Sequence, residues 1–317
     1  MTERQSIVPK PSTRSYTSGF TLLEMMVALL VTSIIVAAAL SLTMSVRNLY
    51  RTDQPRIALN QNLRGGMEVL SADIRQAGER LPTDPLVPVN IMPIEIQNGA
   101  SGASDTIYLR RNMVDAVLPV CKDIKANSNT DVAKVAIVSA NPPAGCGPVP
   151  DNNGDGWPDN LEAWRKYRTN NGANPTGAVR VYIFDPVTGL GEWITYDAED
   201  SSTFQIHKSS GKWKNSYPAS HKPRLYAMEE RKYYLAGDRL RLQVNGGGYD
   251  DVTASLTDFQ AQAIMQNGTV LNAFGNGNNW LKLKAVKVTL SGLVKNSSAQ
   301  HKGSLTMQLF PRNILSN

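Results

Sequence analysis

Hydrophobic and polar positions are spread very unevenly along this chain. From Phe20 to Val46 it reads FTLLEMMVALLVTSIIVAAALSLTMSV, with one charge, Glu24, and no Gly or Pro. At about 1.5 Å rise per residue, a helix of this length reaches roughly 40 Å, enough to cross a bilayer. No second run of this kind occurs, which argues against a transporter with several spans. The spacing then changes: Leu59, Leu63, Met67, Leu70, Ile74 and Ala77 recur every three or four positions. They predict one apolar stripe of a continuing helix, with Arg64, Glu68, Asp73 and Arg75 on its other faces. Gly78 is a natural stop and Pro82 follows it; Pro55 predicts a kink, and Gly65-Gly66 a local weakening.

Beyond Gly78 the alternation has period two. Strands are predicted over 94–97, 106–110, 132–138, 179–184, 193–196, 224–235, 239–244, 281–290 and 304–310, with a hairpin turn at Gly237-Asp238. A long N-terminal transmembrane and stalk helix feeding a mostly antiparallel β-sheet head makes the expected fold class α+β. The expected partition is 1–19, a leader; 20–46, the span; 47–78, its amphipathic continuation; and 79–317, the β-rich head. An inserted module at about 119–170 lies inside that head.

Composition narrows the function. Of 317 residues, 41% are hydrophobic and 19% charged, too apolar and too weakly charged for a disordered chain. Two cysteines and three scattered histidines (His207, His221, His301) build neither a disulfide scaffold nor a four-Cys zinc site. No phosphate loop, G-x-S-x-G elbow or Cys/His pair in catalytic context occurs, so the expectation is a non-enzyme.

The N-terminus carries the sharpest signal. Residues 1–18 are polar, with Arg4, Lys10 and Arg14 against Glu3, and the apolar run begins abruptly after Gly19. No small-x-small cleavage site follows the run, so the span is expected to stay, with its basic flank cytoplasmic. A plain signal anchor would read this way. Gly19-Phe20-Thr21-Leu22-Leu23-Glu24, however, closely resembles the cleavage and N-methylation motif of type IV prepilins and type II secretion pseudopilins. The resemblance implies a membrane peptidase that cuts after Gly19 and methylates the new amino terminus at Phe20. It also gives Glu24 a purpose: a carboxylate in an apolar run costs at least ~2.5–3.5 kcal/mol, and the Phe20 amine of a neighbouring filament subunit would neutralise it and set the axial register. Removing residues 1–19 takes away three basic residues and one acidic one, so the net charge falls from +6 to +4.

Three further constellations stand out. Residues 151–162, DNNGDGWPDNLE, fit the spacing D-x-[DN]-x-[DN]-G-x5-E of a calcium loop at every position. Asp151, Asn153 and Asp155 would offer side-chain oxygens, Trp157 a backbone carbonyl, Asp159 a direct or water-bridged oxygen, and Glu162 a bidentate carboxylate, with Gly156 permitting the sharp turn. Pro158 and the lack of a second loop fit a solitary extracellular Ca2+ site better than a paired EF-hand; an acidic solvated turn is the bland alternative. Cys121 and Cys146, outside the span and directed to an oxidising compartment, are expected to form a disulfide. Between 201 and 228 there is no acidic residue, and Lys208, Lys212, Lys214, Lys222 and Arg224 interleave with Trp213 and Tyr217. Nucleic-acid contact is one reading of that patch; a solvated loop, or contact with an acidic neighbouring subunit, is favoured.

The rest of the chain is similar to PilW-type minor pilins and the J-type minor pseudopilins of type II secretion: EVLSADIRQAG at 68–78, Glu230–Tyr234 before a turn, Arg239–Leu242, Val252–Phe259, Ala285–Leu290 and Pro311-Arg312-Asn313. The resemblance implies a pilin-like fold and a minor pilin that primes or caps a type IV pilus, supporting adhesion and twitching motility. Its implied partners are other minor and major pilins, prepilin peptidase and the inner-membrane assembly platform. It would sit in the inner membrane by one helix, head periplasmic, before entering the filament near its tip. A type II secretion minor pseudopilin and a calcium-dependent tip adhesin or DNA-binding pilin are the alternatives.

Overall fold

The apolar run and the stripe after it form one helix, α1 (Leu22–Gln76), with Pro55 inside it. The computed structural model describes residues 19, 21–81, 92–128, 131–139, 141–147, 150–171, 177–209, 211–275, 277–296 and 299–315. Residues 1–18 of the leader, Phe20 and Pro82 lie outside them. The chain divides into two compact units, Met1–Gln54 and Pro55–Asn317.

In the first unit α1 is exposed along its described length, with Leu22, Leu29, Ile35 and Leu42 each more than half open. Its hydroxyls turn back onto the helix: Thr32 donates to the Ala28 carbonyl (2.6 Å) and Thr43 to that of Ala39 (2.8 Å). The surface left over is apolar, as a lipid-facing or helix-facing segment requires.

In the second unit the predicted stripe is the buried face of α1. Leu59, Leu63, Met67, Leu70, Ile74 and Ala77 are all at most 2% exposed and enter the main core. Gly78 ends the helix with φ 81°, and its N–H donates to the Arg110 carbonyl at 2.9 Å. This left-handed position after the last turn is where glycine costs least. Gly65-Gly66 does more than loosen the helix: a Cβ at Gly66 would lie 2.6 Å from Thr253 Cγ2, so its bareness lets α1 approach the sheet. Asp73, assigned above to a polar face, is buried. Both its oxygens take Arg231 Nη1 at 2.9 Å, and Tyr233 donates its hydroxyl.

The β-rich part is built in chain order with a long excursion. After β1 (Ile94–Gln97) and β2 (Thr106–Asn112), residues 113–227 leave the main sheet and build another. That excursion holds β3 (Leu118–Pro119), β4 (Val132–Lys134), α2 (Asp159–Asn171), β5 (Val179–Phe184), β6 (Gly191–Asp200), β7 (Gln205–Lys208) and β8 (Arg224–Tyr226), in the sheet order β3-β8-β5-β6-β7-β4. The chain returns as β9 (Met228–Ala236), which pairs with β2 as if nothing intervened, Asn112 opposite Met228. Then follow β10 (Arg239–Val244), β11 (Tyr249–Thr253), β12 (Leu256–Met265), β13 (Val270–Leu271), β14 (Leu283–Asn296), β15 (Ala299–Leu309) and α3 (Arg312–Leu315). Two sheets, β1-β2-β9-β10-β11 and β13-β12-β14-β15, share the core with α1. Every described strand pair is antiparallel.

The α+β class is therefore as expected, with two differences in detail. The excursion has its own core, including Val181, Ile194, Trp164, Trp213 and Leu225, and extends well past the expected 119–170. The run 224–235 is two strands in two sheets, because Ala227 is where the chain crosses from the excursion back to the main sheet. The predicted turn at Gly237-Asp238 is a two-residue hairpin, with Ala236 opposite Arg239 and Gly237 at φ 64°.

Candidate functional site

At the start of α1, Thr21 and Glu24 satisfy each other. Glu24 Oε2 accepts the Thr21 N–H and hydroxyl, both at 3.0 Å, and Thr21 Oγ1 accepts the Glu24 N–H at 3.3 Å. This is a capping box, one residue inside the expected cut. Its T-x-x-E signature is local and legible in the sequence, spanning Thr21 to Glu24. Gly19 is exposed, and among the described residues nothing lies within 4 Å of where its Cβ would sit. Among the described residues, packing does not demand a glycine at 19. A requirement for one would come from whatever reads the sequence.

Residues 14–40 match the family model described as the prokaryotic N-terminal methylation motif. Comparison with curated proteins and with solved structures finds no match. The match places an N-terminal methylation motif at the head of a helix long and apolar enough to cross a membrane. The motif is that of type IV pilin-like proteins and pseudopilins, which are processed by prepilin peptidase and interact with other pilins.

The acidic loop lies in the excursion, running into α2. Asp151 organises it: Oδ1 accepts the N–H of Gly154 (2.7 Å) and Asp155 (3.2 Å), and Oδ2 that of Gly156 (2.7 Å). Asn153 Oδ1 takes the Asp155 N–H (3.0 Å), and Asp155 Oδ1 that of Trp157 (2.9 Å). Gly156 has φ 86°, the turn its motif position calls for. Asn153 Nδ2 lies 3.2 Å from Glu162 Oε2, so the third and twelfth loop positions meet. Glu162 also pairs with Lys166, and that hydrogen bond holds the Lys166 ammonium above the usual lysine range. Asp159 is engaged by Asn152. Among the described residues, no three His, Cys, Asp or Glu side chains converge as a metal-binding group; in this form the loop carboxylates face amides and Lys166.

The helix after the loop, α2, starts at Asp159. It is fixed to the six-stranded sheet by Trp164, whose Nε1 donates to the Ala116 carbonyl at 2.7 Å, and by Arg168, which grips Glu199 through two bonds of 2.8 Å. The Trp157 ring packs against the excursion core, with Arg165 over it at 4.6 Å. Upstream, Cys121 and Cys146 are bonded, with their Cα atoms 5.6 Å apart, and both are buried. Closing this loop should contribute about 3.5 kcal/mol in the chain-entropy model. A Cys121→Ser/Cys146→Ser chain is expected to unfold at correspondingly lower denaturant. A midpoint unchanged from the oxidised wild type would contradict this.

The basic and aromatic patch is split between core and surface. Trp213 and Tyr217 are fully buried and stack edge to face at 6.0 Å. Tyr217 donates to the buried Glu192 at 3.1 Å, and burial pushes its phenol well above the usual range. Lys208 is buried too, its ammonium bonded to the Gly211 carbonyl and lying over the Trp213 ring at 5.6 Å. Only Lys212, Lys214, Lys222 and Arg224 stay exposed. Both rings belong to the excursion's core and offer no platform on which bases could stack.

Proposed function

We propose that this chain is a non-catalytic minor pilin of the PilW type, which primes or caps a type IV pilus. The observation that carries the reading is the motif at Gly19-Phe20 heading a helix that is apolar and exposed first, then docked by its Leu59–Ala77 stripe on a β-rich head. After cleavage and methylation at Phe20, the exposed part would pack among the helices of other minor and major pilins, leaving the head at the periplasmic side and then near the filament tip. A minor pseudopilin of type II secretion is the second reading, favoured by the same motif. A deletion strain scored for surface pili, twitching and secretion separates them: loss of pili with normal secretion supports the minor pilin, and loss of secretion with normal pili overturns it.

We also propose that residues 151–162 hold one Ca2+, through Asp151, Asn153, Asp155, the Trp157 carbonyl, Asp159 and Glu162. The Asp151-centred turn and the meeting of Asn153 with Glu162 support this. Binding would release Glu162 from Lys166 and fix the start of α2. Calorimetric titration should give one site of ~10⁻⁴–10⁻³ M, lost in Asp155→Ala. Absence of both heat and thermal shift in the wild type would refute it.

A further inference from the structure

The four-stranded sheet has a face that assembly through α1 leaves unused. On β14 and β15, Thr289 lies opposite Thr306, Ser291 opposite Ser304 and Leu293 opposite Lys302, all on the side turned away from the core residues Val288 and Leu290. A surface cavity of about 530 Å³ opens there, lined by Thr257, Ser291, Leu293, Lys302, Ser304 and the backbone of Gly292 and Gly303. This volume lies within the range of small-ligand sites.

Two local features hollow it out. A bulge between Leu256 and Asp258 puts Thr257 out of register with β14. Gly292 and Gly303 face each other across the strands with Leu59 against their inner side, so the sheet dips toward the helix.

The chemistry of the lining is one-sided. Beyond the backbone pairing of their strands, the side chains of Thr257, Ser291, Ser304 and Lys302 have no hydrogen-bond or ion-pair partner among the described residues. No carboxylate lines the cavity. Asp258, adjacent on the same face, already accepts from Ser104 Oγ, the Phe259 N–H and Gln260 Nε2 at 2.8, 2.8 and 3.0 Å. From Phe259 to Asn317 the sequence has no Asp or Glu, against five lysines and one arginine. Three hydroxyls that both donate and accept, beside one ammonium, match a molecule with several hydroxyls and an anionic group. No aromatic ring lines the cavity, so a nucleobase would find nothing to stack on.

We propose that this cavity binds an acidic sugar residue of a polysaccharide, with its carboxylate at Lys302 and its hydroxyls at Thr257, Ser291 and Ser304. The inference is separate from the filament role and from the calcium loop. The test titrates the full chain in detergent micelles with an oligouronate, a neutral glucose oligomer of equal length, and a single-stranded oligonucleotide of equal charge. The oligouronate is expected to bind, and Lys302→Gln to weaken it about tenfold or more, with Ser291→Ala/Ser304→Ala weakening it severalfold. Lys287→Gln, on the neighbouring strand β14 and outside the cavity, should leave affinity within about twofold. All these side chains are exposed or half-exposed, so thermal unfolding should be unchanged, which certifies the variants as folded. Failure of the oligouronate to bind, equal binding of either comparison ligand, or equal losses in Lys302→Gln and Lys287→Gln would each overturn the proposal.

Discussion

A Glu24→Ala chain is expected to be cut and N-methylated normally, yet to be absent from sheared filaments. The carboxylate sits in an apolar helix at a cost of at least ~2.5–3.5 kcal/mol, so something must offset it. Within the chain that offset is partial: Thr21 supplies its N–H and its hydroxyl to Glu24 Oε2, which are neutral donors. A positive partner has to come from elsewhere, and the freed amine of a neighbouring subunit is the charge the proposed processing would create. Two variants separate the roles. Glu24→Gln keeps a side chain that can close the capping box but removes the charge. Thr21→Ala keeps the charge and loses the cap's hydroxyl. Glu24→Gln should fail to enter filaments as completely as Glu24→Ala, whereas Thr21→Ala should enter them at reduced level, scored by immunoblot with mass spectrometry of the N-terminal peptide. Wild-type incorporation of Glu24→Gln would show that the carboxylate serves the helix end and not assembly.

The helix was the most legible element because its two halves obey simple periods. An unbroken apolar run and a stripe of spacing three and four need no tertiary context to be read, and the stripe residues are the ones buried. Asp73 shows the limit of that reading. Helical periodicity separates apolar from polar faces, but the Arg231 and Tyr233 that make burial of Asp73 tolerable lie over 150 positions away in sequence. The same limit hid the excursion. Nothing local at Asn112 or Met228 announces that they are cross-strand partners, so local signals mark only a shorter module around the cysteines and the acidic loop. At 201–228 the lysines beside Trp213 and Tyr217 suggest a surface, but the six-stranded sheet the two rings lie under decides their exposure. The capping box is legible because it needs only the four residues from Thr21 to Glu24.

Gly292→Ala is expected to destabilise the head by about 3 kcal/mol, the upper end of the overpacking range. An added Cβ would lie 2.5 Å from Leu59 Cδ1 and 2.6 Å from the Ser255 carbonyl oxygen. The leucine methyl can rotate away; the carbonyl cannot, since Ser255 O accepts the Leu293 N–H at 3.0 Å and so is tied to the same strand. Gly303 provides the control. A Cβ there would meet only Leu59 and Leu63 methyl and methine carbons at 3.3 to 3.8 Å, all side-chain atoms that can yield a few tenths of an ångström. Gly303→Ala should therefore cost less than about 1 kcal/mol. Leu59→Ala alone loses about 2–5 kcal/mol of core packing, and combined with Gly292→Ala it should cost less than the sum, because one of the two clashes is gone. Strict additivity of that pair, or a larger loss in Gly303→Ala than in Gly292→Ala, would show that Leu59 does not rest on this glycine pair, and the docking of the α1 stripe on β14 and β15 would need another explanation.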